Sequence, residues 1–204
     1  MSASQARPYD YLKRSLDVVA SVFGVVLLSP LIGVMALLVA VKLGRPIIFA
    51  QPRPGLHGQL FTLYKFRTMS PLDPVRGSES DADRLTPFGR ALRSTSLDEL
   101  PSLWNVLRGD MSLVGPRPLL AAYLGRYTPE QARRHEVRPG VTGLAQVSGR
   151  NTLTWEQKFA LDVEYVEKRT LLLDIRILLR TISAVFFREG VSSAGEATMS
   201  EFRG

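Results

Sequence analysis

The chain has 204 residues, 45% of them hydrophobic and 22% charged, which is enough apolar content for a buried core and excludes wholesale disorder. The absence of cysteine excludes a disulfide framework and a thiolate metal site, and two histidines alone argue against a histidine-based metal centre. The net charge of +7 indicates an anionic partner, for which nucleic acid, anionic lipid and a phosphorylated substrate all qualify.

The first predicted element is an apolar segment, residues 18–41, which holds 24 residues without a charge. A helix of this length spans the roughly 30 Å of a bilayer's hydrocarbon core, so the sequence predicts a membrane segment. Its flanks do not select an orientation, because basic residues lie on both sides of it. These residues are Arg7, Lys13 and Arg14 before the segment, and Lys42, Arg45 and Arg53 after it.

Two residues near the middle of this segment, Ser29 and Pro30, interrupt the pattern of a plain span. Proline has no backbone N–H and its ring crowds the preceding turn, so the pair predicts a kink or a break in the helix. A break would let both basic flanks stay on the cytoplasmic face as a re-entrant hairpin. A kink is equally compatible with a helix that crosses the membrane, so the residues leave both topologies open.

A β-hairpin is predicted directly after the membrane segment. Residues 46–51 and 59–69 have strand-like composition, and the Gly-Leu-His-Gly sequence at 55–58 supplies a turn between them. Lys65 and Arg67 alternate with aromatic residues, so the two cations should share one face of the hairpin. That face is either solvated or directed at an anionic ligand.

Two adjacent carboxylates, Asp98 and Glu99, stand at the start of a predicted helix. Ser96 and Glu99 have the spacing of a capping box, but Pro101 would lack room for its ring, so a helix that starts near Pro101 is favoured. Both carboxylates would then lie beside the positive end of the helix dipole, which favours their ionised forms. An ionised aspartate is a nucleophile toward phosphorus and an oxygen ligand for Mg²⁺, although such a pair is more often a plain helix cap.

One arginine helps to decide whether the two acids form a plain helix cap or part of an anion-binding site. Arg117 follows the two acids in the sequence and is held between Pro116 and Pro118. Its guanidinium presents five N–H donors in a fixed plane that matches phosphate oxygens. The arginine therefore favours an anion-binding site over a simple cap.

The last third of the chain contains a glycine-rich segment and two predicted helices. Residues 138–151 hold three glycines between Arg138 and Arg150, a composition that suits either a ligand-binding loop or an ordinary connection. Amphipathic helices are predicted over residues 155–169 and 171–188. The second is basic, which is typical of a helix on an anionic membrane surface and equally of a surface helix over a core.

Together these segments resemble one family, the monotopic phosphoglycosyl transferases of bacteria. Five blocks occur in the family's order and cover essentially the whole chain. They are the Ser29-Pro30 pair in the membrane segment, QPRPG at 51–55, YKFRTM at 64–69, SLDELPSLWNVLRGDMSLVGPRPLL at 96–120 and VRPGVTGLAQVSGRN at 137–151. The short length and the tail resemble the small members that act on N,N′-diacetylbacillosamine phosphate.

The resemblance implies a reaction and a set of roles. Such enzymes move a phosphosugar from a UDP-sugar to undecaprenyl phosphate and release UMP. By position, Asp98 matches the nucleophile that carries a covalent phosphosugar and the ligand of Mg²⁺, and Glu99 matches its catalytic partner. Arg117 matches the phosphate-binding arginine. Further substrate contacts are carried over to three residues in matching blocks: Lys65, Arg67 and Arg150.

The resemblance also implies an architecture. It is an α+β fold, mainly helical, in which residues 1–45 form a re-entrant membrane hairpin broken at Ser29 and Pro30. Residues 46–204 then form a catalytic domain with a small β-hairpin and interfacial amphipathic helices. This domain would lie at the cytoplasmic face of the bacterial inner membrane and contact its phospholipids.

Three alternatives accompany this interpretation. The donor could be UDP-glucose or UDP-galactose in exopolysaccharide synthesis, because the residues do not identify the sugar. A non-catalytic membrane adaptor is more remote. A nucleic-acid binder would need aromatic residues interleaved with Lys and Arg on a strand face, or a recognition helix. The cations here are scattered along the chain and are mostly arginine, so no nucleic-acid partner is expected. The oligomeric state is left open.

Overall fold

The computed structural model describes residues 7–71, 81–149, 152–186, 201–202 and 204. Helix accounts for 64% of the structure, which confirms the predicted α+β class with mainly helical content. The α-helices are α1 (Pro8–Leu43), α2 (Asp81–Arg84), α3 (Pro87–Ser94), α4 (Leu103–Arg108), α5 (Pro129–Ala132), α6 (Leu144–Val147), α7 (Trp155–Lys168) and α8 (Leu171–Phe186). Short 3₁₀ helices cover Leu56–Gly58, Leu97–Ser102, Ala121–Arg126 and Arg133–Glu136.

The apolar segment forms a single helix, α1, which runs through Ser29 and Pro30 without a break. Pro30 cannot donate to the carbonyl of Val26, four residues earlier, but the Ser29 hydroxyl donates to that oxygen at 2.8 Å. The carbonyl is therefore satisfied, and the helix continues. The predicted division into two helices is wrong at this position, because serine compensates locally for the missing proline donor.

Helix α1 lies along the rest of the molecule rather than apart from it. Near its beginning, Arg14 donates to the carbonyls of Val106 and Leu107 at 2.5 and 2.9 Å. Near its end, Met35 and Val39 are buried in a cluster with Phe66 and Leu92, and further apolar residues surround that cluster. Much of the remaining helix surface is apolar and exposed, and α1 is long and apolar enough to cross a membrane.

The predicted hairpin is confirmed. Strands β1 (Ile48–Pro54) and β2 (Leu60–Phe66) pair antiparallel, with Phe49 opposite Lys65 and Arg53 opposite Phe61. Strand β1 extends past its predicted end to Pro54, because a strand at the edge of a sheet leaves alternate N–H groups unpaired and tolerates proline there.

A second, two-stranded sheet lies under the Gly-Pro-Arg-Pro loop. Strand β3 (Ser112–Val114) is parallel to β4 (Gly140–Thr142), and hydrogen bonds continue past both strands: Gly115 N–H donates to Thr142 O at 2.9 Å, and Gly140 N–H to Pro116 O at 3.0 Å. A Cβ at Gly140 would lie 2.1 Å from the backbone nitrogen of Gly115, so no side chain fits between the two chains. These glycines of the glycine-rich segment therefore serve the packing of two backbones.

The two closing helices behave differently. Helix α7 begins at a capping box, in which Thr154 and Gln157 each accept a hydrogen bond from the other's N–H, and it buries Phe159 against the core as predicted. Helix α8 buries Asp174 and Ile177 and turns an apolar stripe outward. The exposed members of this stripe are Leu171, Leu172, Ile175, Leu179 and Ile182. Another side of α8 does pack on a core, because Ile177, with Leu173 and Leu178 beside it, lies against Val114 and Tyr165.

Candidate active site

The two adjacent acids lie on a 3₁₀ helix, Leu97–Ser102, that leads directly into α4. Ser96 precedes it with a left-handed backbone (φ 57°) and makes no side-chain cap, so the capping box is absent, as predicted. Pro101 sits inside the 3₁₀ turn rather than at the first position of a longer helix. Asp98 is buried, with 7% of its surface exposed.

Side chains from two other elements converge on the carboxylate of Glu99. Lys65, from β2, donates from Nζ to Oε1 at 2.5 Å. Arg117, from the loop after β3, donates from Nη2 to the same oxygen at 3.0 Å. The structure therefore brings together four predicted site residues: Asp98, Glu99, Lys65 and Arg117. Arg117 remains half exposed, so its other N–H groups can face a ligand.

The environment separates the two carboxylates electrostatically. Burial, followed by the negative charge of Glu99, raises the pKa of Asp98 to about 6. Burial alone would also raise the pKa of Glu99, but the charges and hydrogen bonds of Arg117 and Lys65 outweigh it and hold that pKa at about 2. The expectation that the helix dipole makes both acids ionise readily is therefore wrong for Asp98, because desolvation dominates there.

Asp98 has the properties of an available oxygen ligand or nucleophile. It accepts no side-chain hydrogen bond from the residues that the structure describes, whereas Glu99 is occupied by two cations. Within the same ranges, no group of three metal-binding side chains is present. The donor set therefore suits a Mg²⁺ held by one carboxylate and completed by substrate phosphates, as is usual for this ion.

Two predicted contacts lie elsewhere. Arg67 follows β2 and directs its guanidinium to the backbone carbonyls of Leu43, at the end of α1, and of Arg45. It ties the end of α1 to the hairpin and contacts neither acid. Arg150 lies outside the described residues.

A buried ion pair behind Arg117 was not predicted. Arg134 is 2% exposed and pairs with Asp162 on α7, with N–O distances of 2.7 and 3.0 Å. Its Nη2 also donates to the backbone carbonyl of Arg117 at 2.7 Å. No local sequence signal marks this pair, because its partners are 28 residues apart. A second unpredicted residue, Arg53, lies against the same loop and donates to the carbonyl of Pro118 at 3.4 Å.

Comparison with known proteins identifies the family of this chain. The model of the bacterial sugar transferase family matches residues 8–188. EpsL of Bacillus subtilis, named as an uncharacterized sugar transferase, is 50% identical over 95% of this chain and 96% of its own length. The UDP-glucose:undecaprenyl-phosphate glucose-1-phosphate transferase of Caulobacter vibrioides is 44% identical over 86% of this chain and 70% of its own length.

A third relative is longer. The undecaprenyl-phosphate galactose phosphotransferase of Salmonella typhimurium is 41% identical over 88% of this chain, which spans 41% of that protein. Because the family model covers most of the chain and the aligned relatives are this similar, the chain belongs to the bacterial sugar transferase family and is a phosphoglycosyl transferase.

Proposed function

We propose that the protein transfers a phosphosugar from a UDP-sugar to undecaprenyl phosphate and releases UMP. The observation that carries this proposal is the placement of Asp98, which accepts no side-chain hydrogen bond from the described residues, beside Glu99, which holds Lys65 and Arg117 in place. Such a site offers an oxygen nucleophile beside cations that attract a diphosphate. The relatives named above as transferases of sugar phosphates to undecaprenyl phosphate support the same reaction.

The transfer proceeds in two displacements. An oxygen of ionised Asp98 attacks the β-phosphorus, the bond from that phosphorus to the bridging oxygen breaks, and UMP leaves with the bonding electron pair. A phosphate oxygen of undecaprenyl phosphate then attacks the same phosphorus and releases the Asp98 carboxylate. Because the pKa of Asp98 is about 6, most of the enzyme holds the nucleophilic form at neutral pH.

The cations and the second acid have supporting roles. Arg117 presents its remaining N–H groups to the phosphates, and Lys65 adds positive charge from the hairpin. Glu99 fixes both cations and assists the attack by the lipid phosphate. Asp98 would hold Mg²⁺ together with the diphosphate oxygens, and the ion would supply neutralisation of the phosphate charge.

The membrane arrangement is proposed to be monotopic, with the continuous helix α1 held in the cytoplasmic leaflet of the bacterial inner membrane so that both of its ends stay on the cytoplasmic side. With 36 residues, α1 is about 54 Å long, yet Arg14 and Val39 both contact elements of the same catalytic domain, residues 46–204. A helix that left this domain to cross the bilayer would lose one of these two sets of contacts. The exposed apolar stripe of α8 and the exposed Trp104 support further contact with phospholipid at the interface.

We propose two classes of UDP-sugar as the donor. An N-acetylated amino sugar such as UDP-N,N′-diacetylbacillosamine follows from the resemblance of the short length and the tail to the small members of the family. UDP-glucose or UDP-galactose in exopolysaccharide synthesis is favoured by the names of the Caulobacter and Salmonella relatives. Product analysis with a panel of UDP-sugars separates the two classes.

The decisive experiment uses the detergent-solubilised protein with Mg²⁺, each UDP-sugar and undecaprenyl phosphate, and measures UMP. Release with at least one donor is expected for the native protein, and Asp98→Asn should abolish it because an amide is a poor nucleophile. Intact mass without the lipid acceptor should show a phosphosugar adduct that Asp98→Asn lacks. If Asp98→Asn retains more than a few per cent of the rate, the covalent role of Asp98 is wrong.

A further inference from the structure

Arg53 is a cation without an acidic partner among the residues that the structure describes. It projects from β1, where its Nη2 donates to the Gln51 side chain at 2.6 Å and its Nη1 to the Pro118 carbonyl at 3.4 Å. Its Nε is buried and has no acceptor in the part of the chain that the structure describes. A guanidinium has five N–H groups, so two bonds leave three of them without a partner there.

Two other arginines near this loop, unlike Arg53, pair with acids. Arg117 pairs with Glu99, and Arg134 pairs with Asp162. Arg53 makes no ion pair with any acid among the described residues. Burial and the nearby charge of Arg117 lower its pKa, but only to about 10. It is therefore still charged at neutral pH. A partly buried charge beside a like charge is unfavourable unless an anion is supplied from elsewhere.

The hairpin directs Arg53 toward the same side as a residue already placed at the site. Residues that are directly opposite in an antiparallel pair share a face, so Arg53 shares a face of the hairpin with Phe61 and, four pairs further along, with Lys65. Lys65 contacts Glu99 from that face. The loop that carries Arg117 also contacts Arg53, because the Pro118 carbonyl of that loop accepts a hydrogen bond from the Arg53 guanidinium.

We infer that Arg53 is a second phosphate-binding residue, which binds a substrate phosphate together with Arg117 across the Pro116–Pro118 loop. The inference rests on the proposed function for the identity of the ligand, since either the diphosphate of the UDP-sugar or the phosphate of the polyprenyl lipid carries the required charge. Two arginines that share one phosphate would give charge-assisted hydrogen bonds from both sides of the loop. Glu99 would keep Arg117 oriented, whereas Arg53, which pairs with no described acid, would receive its counter-charge from the ligand.

Steady-state kinetics of Arg53→Gln and Arg53→Lys test the inference, with each substrate varied in turn. Arg53→Gln should raise KM for one phosphate-bearing substrate roughly 10- to 100-fold, the loss expected for a charge-assisted hydrogen bond. The substrate whose KM rises identifies the source of the phosphate. Arg53→Lys should recover part of the loss because it restores the charge. Arg108→Gln serves as a control, since Arg108 is more than half exposed and pairs with Asp110.

A binding measurement keeps the two proposals distinguishable. Calorimetric titration with UDP and with inorganic pyrophosphate needs no turnover, so weaker binding of either by Arg53→Gln supports the site even if no UDP-sugar is a donor. Active protein whose two KM values and pyrophosphate affinity are unchanged in Arg53→Gln would overturn the inference and leave the transferase activity intact. Equal loss of thermal stability in the Gln and Lys variants, without a change in either KM, would show that Arg53 only clamps the loop, and would also overturn it.

Discussion

The Nη2 of Arg134 donates to the backbone carbonyl of Arg117 at 2.7 Å, and this hydrogen bond connects a buried ion pair to a half-exposed arginine of the site. Asp162 neutralises Arg134 on its other side, so the guanidinium is fixed by two partners. Arg134 also lies over the rings of Tyr127 and Phe159. The Arg134 side chain thus connects the Arg117 backbone to the aromatic core.

Arg134→Met should destabilise the protein by about 3–5 kcal/mol, because the substitution leaves the charge of Asp162 buried without a partner. The double variant Arg134→Met/Asp162→Leu should regain most of that stability. Its KM for the UDP-sugar should stay raised, since the Arg117 carbonyl has still lost its donor. Thermal unfolding and kinetics on the three proteins check this, and normal kinetics in the double variant would limit Arg134 to a structural role.

The pH dependence of the first step should report Asp98. Because the ionised form is the nucleophile and its pKa is about 6, kcat/KM for the UDP-sugar should fall as the pH drops below about 6. In a two-step transfer this ratio includes only the steps up to UMP release, so titration of the lipid phosphate does not enter. Glu99→Gln should move this limb to lower pH, because the charge of Glu99 raises the pKa of Asp98. An unchanged limb in that variant would contradict the assignment.

Asp98→Asn should be inactive but more stable than the native protein at neutral pH. The pKa of Asp98 is higher in the folded protein than in the unfolded chain. Its contribution to the free energy of unfolding is therefore most favourable below about pH 4 and is lost as the pH rises through about 6. The shift corresponds to at most about 3 kcal/mol. The gain in the thermal midpoint over the native protein should therefore grow between pH 4 and pH 7. Glu164→Gln, an exposed acid paired with Lys168, is the control and should show little change.

The topology of α1 can be tested by labelling, because the native chain contains no cysteine. Tyr11→Cys and Lys42→Cys place single thiols at exposed positions near the two ends of the helix. A monotopic arrangement predicts that a membrane-impermeant maleimide reaches both thiols only from the cytoplasmic side. Labelling from opposite sides would establish a span. Ser29→Ala/Pro30→Leu should shift the labelling toward the spanning pattern, because it removes the proline ring that crowds the preceding turn and favours a bend in the helix.

Local patterns predicted the elements whose signals lie within a few residues. The hairpin follows from two strand-like runs around a glycine turn, and α7 from its apolar spacing, where the Glu164–Lys168 pair is also observed at 3.0 Å. The continuity of α1 through Pro30 was missed because it depends on the rotamer of one hydroxyl, which a sequence pattern does not encode.

The sequence predicted the four residues that the structure brings together, but not the electrostatics that separate the two acids. Asp98 and Glu99 are adjacent, yet their pKa values diverge because Lys65 approaches from 34 residues away and Arg117 from 18 residues away. Arg67 shares a strand-like run with Lys65, but it lies beyond the end of β2 and turns to α1. Arg53 and Arg134 acquire their significance only from the loop that they both contact.

The contact between Gly115 and Gly140 constrains how this enzyme can diversify. Either glycine, if replaced, would place a Cβ within 2.4 Å of backbone on the facing segment, so any substitution must separate the two segments and carry the Arg117 loop with it. Substitution of Gly115 or Gly140 therefore cannot adjust the phosphate site in small steps. A change of donor sugar has to arise from side chains that surround the loop, and this directs a search for specificity away from the glycines and toward the periphery of the site.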